Sequence, residues 1–103
     1  MEKPNIIEKK YYKHRFYYIV RFNIRYDESV NDWVFNEVKL PYGKFDYPTI
    51  INALIEFKYP TDKMQAIINN YLLDSDNLNA IEEFNQMQDW RKFAKSYAKE
   101  ILN

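Results

Sequence analysis

The sequence predicts an α+β domain, with an antiparallel β-hairpin over about residues 14–40 followed by three α-helices at about 47–58, 62–73 and 78–102. Three observations carry that prediction. Residues 14–26 alternate with a period of two, apolar residues after Asp46 recur at spacings of three and four, and Pro, Asn and Asp gather at the joints between these stretches. At 103 residues the chain suits one domain spanning 1–103.

In the first strand Phe16, Tyr18, Val20, Phe22, Ile24 and Tyr26 point one way, and Arg15, Tyr17, Ile19, Arg21, Asn23 and Arg25 the other. The first set, rich in aromatic and β-branched residues, is the expected buried face. Residues 9–13 either extend the sheet, to three strands in all, or form an arm; the pattern leaves both open. Asp27–Asp32 reads as a polar turn, and residues 33–40 as the second strand. There Val34, Val38 and Leu40 share a face with Asn36, while Trp33 and Phe35 lie with Glu37 and Lys39, so the inward side stays ambiguous.

Pro41-Tyr42-Gly43-Lys44 ends the sheet, with the only glycine of the chain placed where a tight turn is expected. Asp46 caps the first helix, Pro48 suits its first turn, and Ile50, Ile51, Leu54 and Ile55 supply its apolar stripe. Tyr59-Pro60 stops that helix, and Thr61-Asp62 is expected to cap the second, whose stripe is Met64, Ile67, Ile68, Tyr71 and Leu72. The tripeptide Tyr-Pro-Thr at 47–49 and 59–61 reads as one helix-start device used twice. After the polar link 74–77, Ile81, Phe84, Met87, Trp90, Ala94, Tyr97, Ala98 and Ile101 mark one long helix.

Composition bounds the function. Aromatic residues make up 18% of the chain, enough apolar payload for a packed core at this size. No apolar run approaches the roughly 18 residues of a membrane span, and the first residues carry no signal-peptide pattern. With no cysteine there is no disulfide, thiolate metal site or Cys nucleophile, and a cytoplasmic location is expected. The zero net charge conceals an asymmetry: residues 1–26 hold seven Lys/Arg against two Asp/Glu, and residues 27–103 eight against thirteen.

No motif for a cofactor, metal, phosphate or small-molecule ligand stands in the sequence, and no enzyme is expected. His14 is the only histidine and lacks partners in the pattern. Asp74 and Asp76 are spaced like calcium-loop acids, without that loop's Gly and closing Glu. The adjacent pair Glu82-Glu83 diverges on a helix and suits a solvated face.

One surface remains. Lys9, Lys10, Lys13, Arg15, Arg21 and Arg25 are interleaved with Tyr11, Tyr12 and Tyr17, and an outer face exposing Tyr17, Ile19, Trp33 and Phe35 goes with them. Cations interleaved with rings suit phosphates and stacked bases, while Tyr, Trp and Arg also dominate protein-binding hot spots. The plainer reading pairs these arginines with Glu37 and the acidic helices, or leaves them solvated. On the long helix, Trp90, Phe93 and Tyr97 exceed one stripe, and either complete the core or meet a second copy.

The stretch Lys58–Leu72, with Glu83-Phe84-Asn85 and Trp90–Lys95, resembles small proteins of unassigned role carried by phages, prophages and mobile elements of gut Bacteroidetes. The resemblance covers roughly residues 47–102. It implies a virion or assembly component, or a small binder of nucleic acid or host factors. The resulting expectation is a non-enzymatic interaction or structural module that self-associates or binds a protein partner, using the hairpin's outer face or a free sheet edge. The alternative is a nucleic-acid binder using the basic, tyrosine-rich face. No membrane partner is expected.

Overall fold

The computed structural model describes residues 10–13, 17–41 and 44–103, and has an α+β arrangement. Strands β1 (Tyr11–Lys13), β2 (Tyr18–Asp27) and β3 (Asp32–Leu40) form an antiparallel sheet in that order, and helices α1 (Tyr47–Lys58), α2 (Thr61–Leu73) and α3 (Leu78–Leu102) follow. The chain divides into two compact units, Met1–Phe45 and Asp46–Asn103. The expectations for Lys9, His14, Arg15, Phe16 and Gly43 lie outside the described residues.

The third strand is present: β1 pairs with the first residues of β2, placing Tyr11 opposite Val20 and Tyr12 opposite Ile19. Pairing between β2 and β3 then resolves the ambiguous inward side. Val20 lies opposite Val38 and Tyr18 opposite Leu40, and Val20, Phe22, Val38 and Leu40 are all buried. Residues directly opposite each other share a face, so Val34 and Asn36 belong with this set, and Trp33, Phe35, Glu37 and Lys39 lie on the other side.

Strict alternation along β2 fails at one point. Phe22 pairs with Asn36 and Arg25 with Val34, so two β2 residues, Asn23 and Ile24, stand against the single Phe35. Asn23 has φ 55°, the left-handed region that asparagine tolerates better than most residues. Its side chain donates to Asn36 Oδ1 at 3.1 Å, and its carbonyl accepts from Arg25 Nη1 at 2.8 Å. This β-bulge reverses the facing of everything after it. Arg25 moves to the side of Val34, and Tyr26 to the side of Trp33, whose ring it meets edge-on at 5.6 Å.

Asn23→Gly should therefore keep the bulge at little cost. Asn23→Val, by contrast, should destabilise the chain by about 1–3 kcal/mol, because a β-branched residue resists positive φ. Urea unfolding of the two variants beside the wild type checks this, and equal stabilities would refute it.

The β2–β3 turn is held locally. Ser29 donates to Asp27 Oδ1 through its amide at 2.9 Å and its hydroxyl at 2.6 Å, which holds the Asp27 carboxyl below the usual carboxylate range. Asn31 sits at φ 56° and accepts a 2.6 Å bond from the Tyr26 hydroxyl.

In the helical unit the repeated tripeptide is used in two different frames. Asp46 caps α1, its Oδ1 accepting from the Thr49 amide at 2.9 Å, with Pro48 in the first turn. At the second copy Pro60 itself occupies the N-cap without a side-chain cap bond, and Thr61 is already helical, so the expected Thr61-Asp62 cap is not formed. The difference lies one residue upstream, where Asp46 offers an acceptor and the corresponding Lys58 only donors. Asn77 caps α3, its Oδ1 accepting from the amides of Asn79 and Ala80.

Helix α3 packs against both α1 and α2. Met87, fully buried, anchors a cluster with Tyr59 and Ile67, surrounded by Met64, Ile68, Phe84 and Trp90. Tyr71 stacks on Phe84 at 4.2 Å. Ile50 and Leu54 of α1 and Ala94 and Ala98 of α3 are also fully buried.

Candidate functional site

The half-exposed side of the sheet collects aromatic rings around one cation. Arg21, Phe35 and Trp33 reach it as side chains of β2 and β3, Tyr12 comes from β1, and the bulge adds Tyr26. The Arg21 guanidinium lies 4.7 Å from the ring centre of Tyr12 and 4.7 Å from that of Phe35, held between the two. Such a clamp covers both flat faces of the guanidinium. Glu37 stands opposite Arg21 in the register, and the Tyr12 hydroxyl reaches Glu37 Oε2 at 3.4 Å. Farther along, Lys39 Nζ sits 4.8 Å over the ring of Tyr17.

Of the residues singled out by the sequence, Tyr17, Arg21, Trp33 and Phe35 thus share one face. Arg25 does not, because the bulge turns it to the opposite side, where it is engaged by the Asn23 carbonyl. Arg15 lies outside the described residues. Ile19, expected to be exposed here, is buried at 5% exposure, flanked in the register by Tyr12 and Lys39. Tyr12 stands among the tyrosines interleaved with the basic residues, and Tyr26 is the member that period-two reasoning missed. An asparagine in mid-strand, a residue depleted from strands, is the sequence signal that could have located the bulge.

The helical unit has a second concave surface, a cleft of about 410 Å³ lined by Lys58, Gln86, Asp89, Trp90 and Phe93. Its wall is committed to structure. Trp90 Nε1 donates to the Leu54 carbonyl at 2.8 Å, Lys58 Nζ lies 4.8 Å over the indole, and Phe93 contacts Trp90 on one side and Tyr97 on the other. The surplus rings of α3 therefore stack along the helix itself. Asp74 and Asp76 fall in the α2–α3 turn, where the Asp74 carbonyl accepts from the Asn77 amide. Among the described residues no three His, Cys, Asp or Glu side chains gather as metal ligands, and no helix is long and apolar enough to cross a membrane.

Burial, and then the nearby Glu100 carboxylate, push the Tyr97 phenol up to about 12. The folded state thus holds this proton more tightly than an unfolded chain, so its stabilising effect is complete below the ordinary tyrosine range near 10 and is lost as pH climbs to about 12. Tyr97→Phe should lose less stability than the wild type across that interval, measured by urea unfolding at stepped pH. Identical pH slopes for the two proteins would contradict this assignment.

In comparisons with known proteins, no family model, curated protein or solved structure matches this chain.

Proposed function

We propose that this chain is a non-enzymatic interaction module that works in the cytoplasm and recognises protein through the aromatic face of its sheet. The observation that supports this reading best is the Arg21 guanidinium held between Tyr12 and Phe35, on a face that continues to Trp33 and Tyr26. An arginine held rigidly between two rings, on a face of large amphipathic side chains, is the chemistry of a protein hot spot, since little side-chain entropy is lost when a partner docks on that face. The resemblance of the helical half to small phage and mobile-element proteins accords with a binding role.

The same face is poorly equipped for nucleic acid. Its described charges are Lys10, Arg21 and Lys39 against Glu37, with Arg21 already enclosed by two rings, while Arg25 points to the other side. Phosphate binding calls for several cations along one surface.

The test pairs two measurements. Labelled single- and double-stranded oligonucleotides, titrated at low and moderate salt, should show no salt-sensitive binding. A photo-reactive phenylalanine at position 35, introduced into the chain in its source cells, should yield a discrete protein adduct that Arg21→Glu abolishes. Tight, salt-sensitive oligonucleotide binding lost in Arg21→Glu would replace this reading with the nucleic-acid one.

A further inference from the structure

We infer that the outer edge of β3 pairs antiparallel with β3 of a second copy about a two-fold axis at Asn36, joining two three-stranded sheets into one of six. This goes beyond the aromatic-face reading: the contact lies along the backbone edge of β3 and not at Arg21 of the central strand.

Strand order makes β3 a border of the sheet over nine residues. The direction of its backbone groups follows from one hydrogen bond. The Arg21 amide donates to the Lys10 carbonyl at 2.7 Å, so Arg21 spends its backbone on the β1 side. Its β3 partner Glu37 is therefore in a non-hydrogen-bonded pair, and directs its N–H and C=O away from β2, toward the outer edge. By alternation along the regular strand β3, Phe35 and Lys39 do the same. At the opposite border β1 covers only three residues and the bulge interrupts β2, a device that discourages strand addition. The continuous edge of this sheet is β3.

An isologous pairing must match β3 to itself, and the residues select the register. Centred on Glu37, it would set two like carboxylates directly across from each other, which is unfavourable. Centred on Asn36, it sets Val34 opposite Val38, Phe35 opposite Glu37, Trp33 opposite Lys39, and Asn36 opposite its own copy. The apolar pair then extends the buried side of the sheet. On the other side each lysine meets an indole, a favourable cation–ring match, and no like charges stand directly opposed. This register also pairs the outward-directed residues 35 and 37 with each other, as the antiparallel ladder requires.

The absence of cysteine from the chain makes the register directly measurable. At the axis the two Asn36 Cα atoms would lie about 4.5 Å apart, within disulfide reach, whereas the two Glu37 residues would be diagonal neighbours beyond it. Under mild oxidation Asn36→Cys should cross-link into a covalent dimer and Glu37→Cys should stay largely uncross-linked. Sedimentation equilibrium of the wild type should show a monomer–dimer equilibrium. Lys39→Pro, which removes an outward N–H that β2 does not use, should weaken it by at least about tenfold while leaving the circular dichroism of the fold intact. Trp33→Lys should weaken dimerisation through a Lys–Lys clash, and Trp33→Lys combined with Lys39→Glu should restore it.

A wild type that stays monomeric, or a dimer that cross-links at position 37 in preference to 36, overturns the inference. If the monomer still gives the position-35 adduct with another protein, the interaction-module reading survives alone; if that adduct is also missing, both fall.

Discussion

Phe22→Ala is expected to cost about 3–5 kcal/mol, the largest single loss available in the sheet. Phe22 is 1% exposed, sits on the buried face with Val20, Val38 and Leu40, and immediately precedes the bulge. Truncation removes the buried ring and leaves a void that β2 closes poorly, because the left-handed Asn23 next to it anchors the strand through its bond to Asn36. Phe22→Leu keeps most of the volume and should cost far less. The two tryptophans supply the readout, since Trp33 lies in the sheet unit and Trp90 in the helical unit. Urea unfolding followed by fluorescence in single-tryptophan backgrounds should show the Trp33 transition moving to lower denaturant. A midpoint unchanged in Phe22→Ala would mean that this face is not the core of the unit.

The matching experiment in the helices is Met87→Ala, expected to cost about 2–5 kcal/mol. Met87 is wholly buried between Tyr59 of the α1–α2 joint and Ile67 of α2, with Phe84 and Trp90 on its own helix. Three elements lean on that one side chain, so its cavity cannot be filled by moving any one of them. Met87→Leu, conserving volume, should stay below about 1.5 kcal/mol. The Trp90 transition reports the effect, because the indole packs on this cluster and is tied to the Leu54 carbonyl. Equal losses for the alanine and leucine variants would argue against tight packing around Met87. Coincident Trp33 and Trp90 transitions in both variants would make the chain one cooperative unit, and separate transitions would make each unit answer to its own core.

Much of this organisation is legible in the residues. The three helices fall almost where the three-and-four spacing puts them, and the caps at Asp46 and Asn77 are short-range events between neighbours in sequence. The same locality explains the one helix start that differs. A repeated Tyr-Pro-Thr does not repeat a cap, because the acceptor comes from the residue before it. On the candidate face, alternation groups Tyr17 with Arg21 and Trp33 with Phe35, whereas the joining of the two pairs depends on the register, and the departure of Arg25 and the arrival of Tyr26 on a single extra residue in β2.

The sequence by itself determined the α+β class, the helix boundaries and the absence of any recognisable catalytic motif, since periodicity, caps and composition act over a few neighbouring residues. Only the tertiary structure decided which side of β3 is buried, where the bulge falls and which rings enclose Arg21. Those outcomes depend on the register between strands, a relation between residues as far apart in sequence as Tyr18 and Leu40 that no single strand encodes, and a one-residue change in that register exchanges the two faces of the sheet.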